Sequence, residues 1–535
     1  MPKKLFMNTG KYIRFIWRRE RFGIFIWWAA LLLITLSQAL AFVDLYPSES
    51  ERQAIAKSME NPAIIAMMGK PYGINNYTLG ALMSHQTLLF TAVAVAIMSI
   101  LFMNRNTKAD EESGRIEVIR SLPMGRLSNT SASIIVLIAV NTAIALTLGL
   151  GLYALGIESI DLKGSMFYGM VLGATGIFFG AITVLCAQLT STTRGTIGCS
   201  FGVLGVSYFL RAIGDVGKES LAVLSPLGWI LRSEVYVSNK YGPILLTVGI
   251  SMAIFGLSLY LDSSRDLGAG MLPIRKGRDS ASVFLHGPLG LGVRLLGVGM
   301  IAWMVGMLVL GLSYGALLGD IEAYLKSSQA MQEMFSYGSG HSQIMQFATV
   351  MMTLIAMLGT VPAVISIFKL KAEEKAGRAE NILTRAVSRN KLLGGFLTIA
   401  IAVPMIIQLL FSMGFWYAGN SVLDKPLLLG ETILSSMVYL PAIWVMVGLA
   451  VFFIGCFPRG TITVWIYYAY SFFVIYLGAI LQLPDWMTKL SPYGSIPRIP
   501  IDEMNYVKIT TITAVALIFM VLGFVGYRKR DIRGI

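Results

Sequence analysis

The chain has 535 residues, of which 55% are hydrophobic and only 13% are charged, whereas soluble proteins carry about 25% charged residues. This composition argues against a soluble enzyme and predicts an all-α integral membrane protein. Three cysteines and three widely separated histidines supply neither a disulfide framework nor a cysteine- or histidine-based metal motif. The net charge of +14 needs no nucleic-acid partner, because its distribution along the chain fits a membrane topology.

Apolar runs dominate the chain from end to end. A helix needs roughly 20 apolar residues to cross a bilayer core of ~30 Å, and no stretch between the runs is long enough for a separate soluble domain. We predict twelve transmembrane helices, at 22–43, 85–103, 129–155, 165–190, 196–210, 242–261, 295–316, 346–368, 392–416, 432–456, 461–482 and 509–526. The run at 196–210 is short and rich in glycine, so its signal is the weakest.

The N-terminal part carries two amphipathic stretches. Aromatic and basic residues alternate over 11–23, which predicts an interfacial helix that turns into the first span, or else a basic flank of that span. The string SQALAF resembles a signal-peptidase site, but the apolar stretch before it is too long for a usual signal sequence, so we expect it to be retained. Within 44–84, Ile55, Met59 and Pro62 recur at helical spacing and predict a short helix.

A charged decapeptide follows the second predicted span and recurs after the eighth. The first copy lies in TKADEESGRIEVIRS (107–121) and the second in KLKAEEKAGRAENI (369–382). Aligned on Gly114 and Gly377, both read K-A-[D/E]-E-x-x-G-R-x-E, at an offset of 263 residues. Such a motif is unusual in so apolar a chain, and its repetition points to a common role.

A second echo supports an internal duplication. The strings LSPLG (224–228) and LSPYG (490–494) are offset by 266 residues, close to the offset of the decapeptides. Because each half has six spans, the halves are predicted to be parallel repeats. We assign the first half to 1–262, a cytoplasmic linker to 263–290 and the second half to 291–535.

The charge distribution predicts the topology. With both termini in the cytoplasm, the inside segments hold 30 Lys and Arg against 12 Asp and Glu, and the outside segments hold 13 against 17. This positive-inside bias, which also favours anionic lipid, places both decapeptides in the cytoplasm and 44–84 and 317–345 outside the plasma membrane. By these boundaries every charged residue lies outside the apolar runs, which argues against a relay of buried carboxylates.

The decapeptides supply the candidate site. Glu111 precedes Arg115 by four residues and Glu374 precedes Arg378 by four, the favoured order for an intrahelical pair worth ~0.3 kcal/mol. A glycine within a helix costs about 1 kcal/mol, which indicates close approach by another surface. A solvated loop that only sets topology is the alternative, although topology requires neither the acids nor the Gly-Arg-x-Glu order. The candidate residues are Asp110, Glu111, Glu112, Gly114, Arg115 and Glu117, with Glu373, Glu374, Gly377, Arg378 and Glu380.

This layout resembles the permeases of ABC-2-type (type V) exporters, in particular the fused twelve-span permeases described as polyketide-antibiotic or multidrug exporters. In that family an E-E-x-G-R-x-E segment follows the second span, as in ADEESGRIE here. The second copy, AEEKAGRAE, departs by having Lys375 where the first has Glu112. LSPLGW (224–229) and RDLGAGMLP (265–273) are further family-like stretches.

The resemblance implies that 104–126 and 369–390 form cytoplasmic coupling helices pressing on two copies of a separate ABC ATPase. It also implies export by alternating access. This chain carries no G-x-x-x-x-G-K-[S/T] phosphate loop; the nearest string, GDVGKES (214–220), has the wrong spacing. We therefore expect no enzymatic activity and no cofactor on this chain, with ATP and Mg²⁺ on the partner subunit.

The predicted spans offer only uncharged polar groups, such as Asn141, Gln188 and Gln408, which fit an amphiphilic or lipophilic cargo. Two alternatives remain. A secondary drug carrier of the major-facilitator type also has twelve spans and a charged motif after the second. A membrane-embedded enzyme acting on lipid-linked substrates would need clustered acids or histidines, but Asp485 and Asp502 form no paired motif.

Overall fold

The computed structural model describes residues 5–272, 279–320, 343–384, 387–423, 425–477 and 484–531. Within these ranges the secondary structure is helical, and no strand occurs. The chain divides into two compact units, Met1–Lys276 and Gly277–Ile535. The division lies within the 263–290 stretch.

The first unit contains twelve α-helices in its described residues. In chain order they are α1 (Thr9–Leu45), α2 (Glu49–Ser58), α3 (Pro62–Met68), α4 (Leu79–Asn106), α5 (Lys108–Glu112), α6 (Arg115–Arg120), α7 (Ser128–Ala154), α8 (Leu162–Leu189), α9 (Thr193–Val216), α10 (Glu219–Leu224), α11 (Pro226–Leu231) and α12 (Gly242–Ser264).

The second unit continues the numbering over its own described ranges. Its helices are α13 (Pro288–Ala316), α14 (Gln343–Lys375), α15 (Arg378–Leu383), α16 (Arg389–Val422), α17 (Leu429–Met437), α18 (Leu440–Cys456), α19 (Ile462–Leu477), α20 (Asp485–Leu490) and α21 (Tyr506–Lys529).

The described residues include eleven helical segments long and apolar enough to cross a membrane. Each coincides with one predicted span. The remaining prediction, 461–482, coincides with α19, and residues 478–483 lie outside the described part of the chain. The weakest prediction, 196–210, lies within α9, which is a full 24 residues long. The chain is therefore an all-α, multi-pass membrane protein.

The first helix differs from the prediction. α1 is one continuous helix of 37 residues, so no turn separates the basic 11–23 stretch from the first span. No proline interrupts it, and the predicted interfacial helix is instead the basic flank of that span. At 1.5 Å per residue α1 is about 55 Å long, well beyond a bilayer core of ~30 Å.

The central helix of the first unit is α8, which packs against α4, α7, α9 and α12. Its glycines Gly169, Gly173 and Gly176 face the main chain or side chains of Ala145 and Asn141 on α7 so closely that a Cβ atom would collide or crowd them. Small residues thus bring these helices together. Three glycines of α9 differ: at Gly198, Gly202 and Gly205 no described atom lies within 4 Å of where a Cβ would stand, so they pack against no described neighbour.

The second unit uses the same device between different helices. α13 packs along α16, and Gly311 and Gly315 lie against the backbone of Phe411 and Phe415. α18 packs along α21, where Gly455 faces the backbone of Gly523. Close backbone approach therefore holds both helix pairs.

The loops contain the short helix predicted within 44–84 and show a common packing role for the glycines of the two LSP strings. The predicted short helix is present as α2, which begins with a capping box between Ser48 and Glu51 and buries Ile55. Met59 follows the end of α2 and Pro62 begins α3, so the three residues of the predicted spacing do not share one helix. In the two LSP strings, Gly228 packs against the carbonyl of Ala222 and Gly494 packs against that of Thr488. Each glycine meets the residue six positions before it.

A buried ion pair lies on α9 just beyond the predicted run 196–210. α9 extends beyond 210 and carries Arg211, which is fully buried. Arg211 lies 3.6 Å from Asp215, one turn later, and donates to the carbonyl oxygen of Ile65 at 3.1 Å. The guanidinium therefore ties the loop helix α3 to α9.

Candidate functional site

The decapeptides do not form continuous helices. In the first charged segment, defined as 104–126, α5 ends before Gly114, whose φ is +73°, and α6 begins directly after it. In the second charged segment, 369–390, Gly377 has a φ of +70° and separates α14 from α15. L-residues avoid this left-handed region, so each glycine is needed for the bend. No other described atom lies within 4 Å of where a Cβ would stand.

The bend changes which charges meet. The predicted i,i+4 pairs Glu111–Arg115 and Glu374–Arg378 do not form, because the helix is broken between their members. Instead Arg115 folds back across the glycine to Asp110, with its Nη1 3.2 Å from Oδ1.

The second segment repeats this arrangement. Arg378 donates to Glu373, with Nη2 3.1 Å from Oε1. The hydrogen bond that it donates to Glu373 raises the pKa of Arg378. In both segments the carboxylate is buried while the arginine side chain stays 63% or 56% exposed. Each exposed arginine is thus anchored to a buried carboxylate and remains accessible to solvent.

No capping box stabilises the start of α5. The Thr107 hydroxyl donates to the carbonyl oxygen of Met103 at 2.6 Å and makes no capping hydrogen bond. Asp110 instead accepts from Arg19 on α1, whose Nη1 is 3.1 Å from Oδ1. The basic flank of the first span therefore anchors the first charged segment.

Glu111 has a partner far away in sequence. Its carboxylate receives both terminal nitrogens of Arg265, each at 2.7 Å, and the backbone N–H of Gly268 at 2.7 Å. Lys108 Nζ lies 3.3 Å from the same carboxylate. The Arg265 side chain is only 8% exposed. Burial opposes its charge, but the hydrogen bonds and charge of Glu111 outweigh burial and raise the pKa of Arg265.

Glu374 has the corresponding partner in the second unit. Its Oε2 lies 2.5 Å from Nη2 of Arg530, whose side chain is 13% exposed. The Arg530 guanidinium also lies over the ring of Tyr527, 4.9 Å from its centroid. Arg265 and Arg530 are each the first residue after the last long helix of their unit.

Sequence reasoning missed these two arginines, although a signal was present. Arg265 begins the string RDL and Arg530 begins RDI, at an offset of 265 residues. That offset falls between those of the decapeptides and the LSP strings. The repeated RDL and RDI strings therefore marked the partners of Glu111 and Glu374 in the sequence.

The one departure between the copies has a local consequence. The Glu112 carboxylate accepts from the backbone N–H of Thr193 at 2.7 Å and so caps the start of α9. Lys375 stands at the equivalent position and carries no acceptor for such a cap. Glu117 and Glu380, one turn beyond each glycine, are both exposed.

The polar groups of the spans are engaged in packing. Asn141 donates to the Ser99 hydroxyl at 3.2 Å, and Gln408 accepts from the Ser436 hydroxyl at 2.7 Å. Gln188 accepts from Arg265. All three are buried, so they stabilise the units and do not line a conduit within them.

A cavity of about 220 Å³ in the first unit has an amphipathic lining. Glu20 and Arg105 lie at its polar end, and Trp27 and Met98 line its apolar part. No cluster of potential metal ligands occurs among the described residues.

Comparison with known proteins identifies the family. Residues 11–261 and 285–528 match the family described as "Multidrug efflux system permease Rv1217c, C-terminal domain". The chain is also 32% identical to the "Multidrug efflux system permease protein Rv1217c" of Mycobacterium tuberculosis, over 99% of this chain and 96% of that protein. The chain belongs to this family of multidrug efflux permeases.

Proposed function

We propose that this chain is the membrane permease of an ATP-driven ABC exporter. It moves an amphiphilic or lipophilic compound out of the cell, across the plasma membrane, by alternating access. Family membership supports drug efflux. The observation that carries the ATP coupling is that one construction occurs twice: a left-handed glycine followed by a short helix with an exposed Arg and Glu, set on buried acids.

The partner is two copies of a separate cytoplasmic ABC ATPase, which bind ATP and Mg²⁺. The exposed pairs Arg115 with Glu117 and Arg378 with Glu380 present the same charges in the same order. One type of ATPase surface therefore fits both. Closure of the ATPase pair on ATP drives the two charged segments together and shifts the conduit outward. Both termini of the chain lie in the cytoplasm.

Among the candidate acids, the contact role falls on Glu117 and Glu380 and not on Glu111 and Glu374. Glu111 and Glu374 are already paired inside their own units and have side chains only 5% and 4% exposed. Their carboxylates cannot meet a partner without breaking those pairs. Glu117 and Glu380 are exposed and free to do so.

The experiment reverses both exposed acids. Co-expression of the ATPase with the Glu117→Lys and Glu380→Lys double variant should lose ATPase association, because a charge pair desolvated at an interface is worth about 2–5 kcal/mol and a solvated one under ~1. Glu158→Lys, an exposed acid in the loop between α7 and α8, is the matched control and should leave association unchanged. Transport by the chain alone, driven by a proton gradient, would establish the secondary carrier instead.

The cargo class has its own test. The cavity between Glu20 and Trp27 combines a charged end with an apolar wall, as an amphiphile requires. Amphiphilic drugs should stimulate ATP hydrolysis by the assembled complex, whereas a sugar of similar size should not. Equal responses to both would contradict an amphiphilic cargo.

A further inference from the structure

A three-residue node built on a buried ion pair occurs twice in this chain. In the first unit, Arg265 binds Glu111 through its side chain, and its backbone carbonyl oxygen accepts from Nη2 of Arg126 at 2.6 Å. Arg126 lies two residues before the start of α7, the third spanning helix. The node therefore joins the charged segment, the start of α7 and the end of α12.

The second unit contains the same node. Arg530 binds Glu374, and its carbonyl oxygen accepts from Nη1 of Arg389 at 2.6 Å. Arg389 begins α16, the third spanning helix of that unit. Arg126 and Arg389 are offset by 263 residues, like the two decapeptides. Both the side-chain and the main-chain contacts of the node are thus repeated.

We infer that Arg265 and Arg530 are positioning residues that latch each charged segment to the last spanning helix of its own unit. A push on the charged segment then moves that helix with it. That an ATPase supplies this push rests on the proposed function, whereas the latch rests only on the contacts within each unit. Removing one member of a buried, hydrogen-bonded pair leaves the other charge unpaired, so the segment should lift away.

Arginine suits this position better than lysine. Arg265 uses two nitrogens on Glu111 and its Nε on Gln188 of α8, which a single ammonium cannot reproduce. Arg530 adds contact with the ring of Tyr527. The latch should therefore weaken even when the charge is kept.

The test measures whether the segments lift. Ile116 and Ala379 occupy equivalent positions and are both buried, at 5% and 0% exposure. Each is replaced by cysteine in full-length chain lacking the native cysteines and held in lipid nanodiscs, where both faces are accessible. Arg265→Gln should speed maleimide labelling at 116, and Arg530→Gln at 379, by at least about tenfold.

Two further variants control this experiment. Arg232→Gln removes a solvated ion pair with Glu219 and should change neither rate. The swap Glu374→Arg with Arg530→Glu should restore protection of position 379, whereas Glu374→Arg alone should not. Arg265→Lys should label at an intermediate rate, and serves if Arg265→Gln does not accumulate.

The latch and the proposed function fail differently. Two results would overturn the latch even if the ATPase binds. One is that both glutamine variants are labelled at the wild-type rate, and the other is that the charge swap protects position 379 no better than its single variants do. Absence of any bound ATPase on the wild type would defeat the proposed function while leaving the labelling result intact. If both hold, the glutamine variants should keep ATPase association and lose transport per ATP hydrolysed.

Discussion

Substitutions at Gly114 and Gly377 can distinguish two reasons for a glycine there: the left-handed backbone conformation, and close approach by a partner. Both have φ near +70°, and a Cβ at either would meet open space. Replacement by alanine therefore adds no clash, and its cost is the left-handed backbone alone, about 1–2 kcal/mol. Asparagine tolerates this conformation better and should cost less. A loss of 1–2 kcal/mol raises the opened population of the segment roughly 5- to 30-fold.

Limited trypsin digestion of the full chain in nanodiscs measures that opening. Cleavage after Arg115 and Arg120 tracks the open population when reclosing is fast. We expect cleavage to be slowest in the wild type, intermediate in Gly114→Asn and fastest in Gly114→Ala. The corresponding variants of Gly377 should follow the same order. Ser113→Ala, at a neighbouring exposed residue with a φ of −81°, should behave like wild type.

Equal cleavage rates for the asparagine and alanine variants would refute the backbone explanation. ATPase association gives the second measurement. If a partner packs directly against the glycine, the asparagine variant should lose ATPase association at least as fully as the alanine variant, although its segment is better ordered. If only the bend matters, asparagine should retain more association than alanine.

Three further outcomes are expected. An impermeant maleimide should label Ser113→Cys and Ser50→Cys from opposite faces of the membrane, and labelling of both from one face would contradict the charge-based topology. The purified chain alone should not bind ATP, since it lacks a phosphate loop; saturable, specific binding in equilibrium dialysis would disprove this. Arg211→Met should destabilise the chain by about 3–5 kcal/mol because Asp215, whose side chain is only 10% exposed, is left unpaired, whereas Arg232→Gln should cost under ~1 kcal/mol. Thermal unfolding in detergent should rank the two variants in this order, and equal shifts would contradict it.

Apolar length was sufficient to predict the membrane helices. A bilayer imposes one requirement on every span, so runs such as 242–261 identify themselves without knowledge of their neighbours. The repeats at 107–121 and 369–382 were equally visible, since a repeat is a property of the sequence. The ends of helices were less certain. α9 continues past 210 because Arg211 is paired within the fold, and hydropathy cannot register that pairing.

The sequence by itself determined a twelve-run, all-α membrane chain and the two charged segments in which a site should lie. Only the tertiary structure decided which charges meet. Glu111 bonds to Arg265 across 154 residues and Glu374 bonds to Arg530 across 156, while the arginines four residues away are directed elsewhere. Local spacing favours a pair only if the helix continues, and the left-handed glycines end it. Once the helix is broken, each carboxylate pairs with the arginine that packing brings to it, because a buried charge without a partner is too costly to keep.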